Sequence, residues 1–229
     1  MLNLALAAAG RPVERVLAIG CHADDIEIGC GGTMLQLTRS ISGLDVTWVI
    51  LAASGVRAEE ARSSARAFLR KAANADVRVH GFRESFLPSE ATEVKALFET
   101  LKDVSPDVVF THARDDLHQD HRLACQLTWN TFRDHLILEY EIPKYDGDLG
   151  APNLFVPHDS SLVEEKIRLI LEHFPSQASK HWFDAELFRS IMRLRGVESA
   201  TRYAEAFTCR KLTLLPRAVV SPNALDRGT

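Results

Sequence analysis

VLAIGCHADDIEIGCGGT, residues 16–33, joins a short apolar run to two carboxylates and then to a string of glycines. Val16–Cys21 reads as a buried strand. The segment GCGGTMLQLTRS then carries the glycines into a helical pattern. A strand that passes through a polar turn into a helix opens a βα unit, and such units build parallel sheets with right-handed crossovers. In open sheets of that kind ligands gather in the crevice at the carboxyl ends of the strands. His22-Ala23-Asp24-Asp25 stands at that position.

The alternation continues outward from this unit. Asp45–Ala52 (DVTWVILA) is rich in β-branched residues and predicts a second strand. Arg57–Ala73 has the spacing of a solvent-facing amphipathic helix. Asp76–His80 predicts a weak third strand. Ala91–Asp103 predicts a helix that Ser105-Pro106 ends. Asp107–Thr111 predicts a fourth strand, followed by a helix over about 120–134. Beyond it the pattern loosens. YEIPKYDGDLGAPNLFVP, residues 140–157, reads as a long surface segment. Helical patterns follow over Ser161–Glu172 and Trp182–Leu194, and Thr208–Leu214 predicts a final strand. The expectation is an α/β fold in a single domain over 1–229, with its core over about 13–214. The tail 215–229 is expected to be disordered.

Composition narrows the function classes. A chain of 229 residues with 46% hydrophobic and 25% charged residues is an ordinary globular mix, long enough for a sizeable core. The net charge of −4 argues against a nucleic-acid binder that relies on a basic surface. No apolar stretch approaches the ~18 residues of a membrane span. The apolar start MLNLALAAAG lacks a basic n-region, so a signal peptide is not expected. Cys21, Cys30, Cys125 and Cys209 form no CxxC pair, and a reduced, cytoplasmic compartment is the simplest reading.

The second polar constellation is THARDDLHQDH, residues 111–121, just after the fourth predicted strand. Three of the nine histidines lie within the ten positions from His112 to His121. Imidazole and carboxylate together suit Zn²⁺, and a catalytic site takes three protein ligands and leaves a position for water. The competing reading makes the histidines surface residues and Asp24-Asp25 a helix cap. Two such clusters at one sheet edge favour the metal. The glycines are not GxGxxG, no Gly-Lys-Ser/Thr follows, and the adjacent acidic pair would repel a pyrophosphate. They are read as permitting a tight turn and close helix packing.

HADDIEIGCGGT resembles the AHPDDExxGxGGT signature of the LmbE-like deacetylases, also called the PIG-L family. DLHQDHR resembles that family's second motif, HPDH or HxDH. RGVESATRYAEAF, residues 195–207, is similar to a YAEAF-type segment of many bacterial members. Two departures are visible: Ala23 replaces the usual proline, and the glutamate falls at Glu27 behind Ile26. The resemblance implies a Rossmann-like, mostly parallel sheet flanked by helices. It implies Zn²⁺ held by His22, Asp25 and His121, with Asp24 as general base. His118 would stabilise the oxyanion or protonate the leaving amine, and Asp120 would orient His118. Arg57 would reach the substrate; the alternative is an ordinary helix-surface arginine. Asp115 and Asp116 would be supporting or loop residues. Apart from the resemblance, Tyr140, Tyr145 and Trp182 are candidates to shape the pocket, with packing or a subunit contact an equally good reading.

The implied activity is zinc-dependent removal of an N-acyl group, usually acetyl, from a small-molecule amino-sugar derivative, with no nucleic-acid partner and no membrane span. Family members are often oligomers, so a homo-oligomer stays open. The rivals are a nucleotide-sugar-dependent transferase using Asp24-Asp25 as a divalent-metal clamp, and a non-catalytic sugar-binding protein.

Overall fold

The computed structural model describes residues 3–6 and 11–213. The chain runs β1 (Arg15–Gly20), α1 (Asp25–Ser40), β2 (Asp45–Ile50), α2 (Gly55–Phe68), β3 (Asn74–Val79), α3 (Ala91–Thr100), β4 (Val108–His112) and α4 (Gln119–Thr131). It continues through β5 (Leu136–Tyr140), β6 (Leu154–His158), α5 (Ser160–His173), α6 (Ala185–Glu198) and β7 (Tyr203–Cys209). The strands form one sheet in the order β3-β2-β1-β4-β5-β7-β6. β1 to β5 are parallel, and β7 runs antiparallel to both β5 and β6.

Side-chain alternation along β1 explains why both faces are covered. Val16 and Ala18 enter one apolar cluster; Leu17, Ile19 and Cys21 enter the other. A strand buried on both sides reads as a continuous apolar run, which is how Val16–Cys21 reads. The larger cluster holds the buried faces of α1, α2, α5 and α6, including Met34, Phe68, Ile170 and Met192. The smaller one holds those of α3 and α4, including Val94, Phe98 and Ala124.

The chain leaves β1 for β2 and β3 on one side, then crosses to β4 on the other side of β1. That reversal opens a crevice at the carboxyl ends of β1 and β4. Both polar motifs follow those two strands, so the topology brings them together across about a hundred residues of sequence.

Three expectations need correction. Residues 140–157 are not one surface segment, because β6 begins at Leu154 and β5 ends at Tyr140. The last strand is Tyr203–Cys209 rather than 208–214. α2 ends at Phe68, and it is not simply solvent-facing: Ala58, Ala61, Ala65 and Phe68 are buried in the core. The expected disordered tail lies outside the described residues. Among the described residues no helix is long and apolar enough to cross a membrane.

The glycine run serves close packing. A Cβ on Gly29 would overlap the Tyr140 ring, and one on Gly32 would stand 2.9 Å from both Glu205 Oε1 and His158 Nε2. None of Gly29, Gly31 and Gly32 is among the positive-φ glycines, so the expected tight turn is not their reason.

Candidate active site

The loop after β1 delivers His22, and the first turn of α1 delivers Asp25. The first turn of α4 delivers His121. His121 Nε2 lies 3.2 Å from His22 Nδ1 and 3.5 Å from Asp25 Oδ2, and His22 Nδ1 lies 3.4 Å from that same oxygen. The His22 backbone N–H also donates to Asp25 Oδ2 at 2.6 Å, which ties the strand end to the helix start. Asp25 and His121 are buried, and His22 is partly buried.

Such a triangle fits a metal. Ligand atoms about 2.0–2.1 Å from a tetrahedral Zn²⁺ stand roughly 3.3–3.4 Å apart. The far nitrogens of both histidines are also engaged by carboxylates. His22 Nε2 is 3.1 Å from Asp120 Oδ2, and His121 Nδ1 is 2.9 Å from Asp116 Oδ2. Carboxylate–histidine pairs of this kind fix the tautomer and orientation of metal-binding imidazoles. Each carboxylate is anchored in turn. Asp120 accepts the N–H groups of Ser85 at 2.7 Å and Leu87 at 3.1 Å. Asp116 accepts Lys144 Nζ at 2.9 Å and the His118 N–H at 2.8 Å.

The titration pattern follows from this crowding. Burial pushes the Asp25 carboxyl up, but His121, His22 and His112 together hold it well below the ordinary range. Burial disfavours the His22 imidazolium, yet Asp25 and Asp120 outweigh it and raise the group to about 10. Burial and neighbouring His112 lower His121. The cluster therefore concentrates negative charge around imidazole nitrogens, an environment that suits a cation.

A second donor set, Cys21, Asp25, His112 and His121, shares two members with the first. His112 Nε2 already accepts the Cys21 N–H at 3.0 Å and lies 3.2 Å from the Tyr140 hydroxyl. Burial raises the Cys21 thiol well above its usual value. Cys21 is a buried thiol, His112 Nε2 also lies 3.2 Å from Asp25 Oδ2, and a further donor set joins His22, His118 and His121, so the donors gathered around His121 could hold a cation.

Asp24 occupies the N-cap position of α1 but makes no side-chain cap bond. Its Oδ1 instead meets Arg57 Nη2 at 2.9 Å. Burial raises the Asp24 pKa and Arg57 partly offsets this. Arg57 is held from behind: its Nη1 lies 3.0 Å from Glu60 Oε2, and its guanidinium sits 5.2 Å from the centre of the Phe174 ring. Glu60 in turn accepts the N–H and hydroxyl of Ser176 at 2.8 and 2.6 Å. Arg57 is therefore neither an ordinary surface arginine nor free for substrate alone; its nearest partner is Asp24.

His118 caps α4, with Nδ1 accepting the Asp120 N–H at 3.2 Å. The neutral ring then carries its proton on Nε2. Burial, then His121 and His22, lower its pKa. The Asp120 carboxylate was expected to orient His118, but it bonds His22; only the Asp120 backbone touches His118. Of the two readings of Tyr140, pocket wall or packing, the structure gives packing. Tyr140 is fully buried, and its hydroxyl donates to the Ile19 carbonyl at 2.6 Å. Tyr145 is exposed and lies 3.4 Å from His181 Nδ1, while Trp182 packs partly against the core.

Lys144 and Glu60 were not anticipated, because single charges in loops and helices carry no motif. Asp115 forms an exposed pair with Arg210 at 3.1 Å. Glu27 is fully buried, without a hydrogen-bond partner among the described residues, and burial pushes its carboxyl up to about 8.

The PIG-L family model, described as GlcNAc-PI de-N-acetylase, matches residues 17–132, about half of the chain, and takes in both motifs. The chain belongs to the PIG-L family. The uncharacterized deacetylase YaiS of Escherichia coli strain K12 is 30% identical over 158 residues, which cover 62% of this chain and 82% of YaiS. Two of the solved structures that share the fold illustrate it. The N,N'-diacetylchitobiose deacetylase of Pyrococcus horikoshii is 23% identical with a TM-score of 0.69, over 85% of this chain and 83% of its own. GalB, the 4-carboxy-2-hydroxymuconate hydratase of Pseudomonas putida KT2440, is 16% identical with a TM-score of 0.72, over 90% and 99%.

Proposed function

We propose that this PIG-L protein is a zinc-dependent N-deacetylase that hydrolyses the acetamide of an amino-sugar derivative. The observation that carries the reading is the triangle of His22, Asp25 and His121, with a carboxylate behind each imidazole. Family membership and the deacetylase names of YaiS and the Pyrococcus protein support the reaction class. When bound, Zn²⁺ supplies a Lewis acid and lowers the pKa of water from 15.7 to about 7.

The remaining steps fall to side chains of this chain. Asp24, adjacent to the ligand Asp25 and oriented by Arg57, accepts the proton of the attacking water. His118, with Nδ1 occupied by the Asp120 N–H, offers Nε2–H to the developing oxyanion. A ring that already accepts a backbone N–H at Nδ1 is poorly placed to hold a second proton, so oxyanion stabilisation is the better of its two expected roles. The proton that the leaving amine needs then returns from Asp24. The transferase reading fits less well, because Asp24 is paired with Arg57 and three imidazoles rather than a second carboxylate face Asp25.

The test is a screen of N-acetylated amino sugars and their conjugates for released acetate, with and without a chelator. Zinc-dependent acetate release supports the reading. Full activity after complete metal removal would refute it.

A further inference from the structure

The YAEAF segment, residues 203–207, forms β7, remote in sequence from both motifs. Its Glu205 is buried and points at α1. α1 is broken: Cys30 has φ −145° and ψ 17° inside the helix. In an uninterrupted helix the Gly32 N–H would donate to the Ile28 carbonyl. Here the Gly32 N–H donates to Glu205 Oε1 and the Thr33 N–H to Glu205 Oε2, both at 2.7 Å. The Ile28 carbonyl instead accepts Lys166 Nζ at 2.7 Å. Lys166, on α5 and equally buried, also bonds Glu205 Oε1 at 2.7 Å. A buried ion pair is thus inserted into a single helical hydrogen bond, the carboxylate on the donor side and the ammonium on the acceptor side. His158 Nε2 stands 3.4 Å from Glu205 Oε2, and its Nδ1 is 2.8 Å from Gln36 Oε1, which closes the far side. Gly32 leaves the room this needs, since a Cβ there would press on Glu205 and His158 together.

The break lies five residues after Asp25. We infer that the Glu205–Lys166 pair is a positioning device, which holds α1 bent so that its first turn aims Asp25 at His22 and His121. The inference rests on the proposed metal site. Neither residue touches the site; each acts through the backbone of α1. It also gives the YAEAF glutamate a physical role: a neutral side chain could not accept two backbone N–H groups and an ammonium at once.

Two variants test it. Glu205→Gln keeps the side-chain volume but replaces one acceptor oxygen with an amide donor facing an N–H or an ammonium. Glu205→Gln/Lys166→Met removes both charges, a change that is often neutral or stabilising for a buried pair. In the double variant the Ile28 carbonyl loses its ammonium partner and the Gly32 N–H its charged acceptor, so the helical bond between them can compete and straighten α1. Two readouts follow the first turn of the helix. One is the rate at which zinc-loaded protein gives zinc up to excess chelator. The other is the His22 backbone amide resonance in metal-free protein, since that N–H donates to Asp25 Oδ2. Both variants should release zinc roughly 10-fold faster or more, on the scale of other changes behind metal ligands. Both should displace the His22 amide, and the double variant should do so even with its thermal midpoint recovered. A folded variant with wild-type zinc release and an unmoved His22 amide overturns the inference. Failure of both variants to fold also overturns it, by making the pair a folding determinant only. A wild-type protein that takes up no zinc defeats the metal reading instead, and the amide of the metal-free protein still decides the role of the pair.

Discussion

Asp120→Asn separates a role behind His22 from the role behind His118 that the family resemblance implied. The Asp120 carboxylate is fully buried and accepts three bonds, from His22 Nε2 and from the Ser85 and Leu87 N–H groups. Asparagine keeps one acceptor oxygen and turns the other into a donor. On the Oδ2 side that donor would face the His22 ring and the Ser85 N–H; on the Oδ1 side it would face the Leu87 N–H. Either way one or two buried donors lose their acceptor, at about 1–3 kcal/mol each. The net loss of stability should be about 2–3 kcal/mol, or a fall of roughly 4–12 °C in thermal midpoint for a domain of this size. His22 also loses the charged partner that orients it, so zinc affinity should fall by about 10–100-fold, or about 1.4–2.7 kcal/mol. The assay is zinc competition against a chelating dye, alongside thermal unfolding of metal-free protein. Had Asp120 acted through His118, turnover would fall with zinc affinity unchanged. That result would refute the placement of Asp120 behind His22.

Further outcomes follow from other parts of the structure. His118→Ala should keep its zinc and lose about 10²–10³-fold in kcat, the usual cost of an oxyanion donor, as steady-state kinetics with metal analysis would show; unchanged kcat would remove His118 from the reaction. Gly29→Ala should destabilise by about 1–3 kcal/mol in urea unfolding, because its Cβ overlaps the buried Tyr140 ring; a neutral effect would contradict the close approach. Burial pushes Glu205 up, but Lys166 and His158 hold it well below the ordinary carboxylate range. A depressed carboxyl contributes stability that is complete above its unfolded value, near 4.3–4.5, and is lost as pH falls toward the folded value. The gap in thermal midpoint between wild type and Glu205→Gln should therefore narrow from pH 6 to pH 3; a constant gap would contradict the ion pair.

Elements whose side chains obey one rule throughout were readable from the sequence. β1 is apolar on both faces, β2 is β-branched, and each precedes a helix with regular spacing. β5 was missed because Glu139 interrupts LILEY. That carboxylate is buried by Trp129 Nε1 at 2.7 Å, Arg210 Nε at 2.7 Å and the Arg114 N–H at 3.1 Å, partners that only the fold brings near. β6 was missed because it is a short edge strand containing Pro157, where a missing N–H is tolerated and apolar patterning is weak. At the site, the residue types and spacing placed His22, Asp24, Asp25, His118 and His121 in one crevice. Which carboxylate stands behind which imidazole depends on how the start of α4 faces the end of β1. The family resemblance therefore pointed Asp120 to His118, and nearness in space gives its carboxylate to His22. The Glu205–Lys166 pair had no local signal, because its partners lie on α1, α5 and β7.

The most direct measurement is zinc content and acetate release for wild type, Asp25→Ala and Asp24→Asn side by side. The two carboxylates are neighbours and chemically alike, yet one faces three imidazoles and the other a guanidinium. Wild type should hold close to one zinc per chain, the complement of a single three-ligand site. Asp25→Ala should lose most of it. Asp24→Asn should keep its zinc and lose about 10²–10⁴-fold in turnover, the contribution of a positioned base. A zinc-free Asp24→Asn beside a zinc-loaded, active Asp25→Ala, or a wild type that releases acetate without metal, would contradict the account.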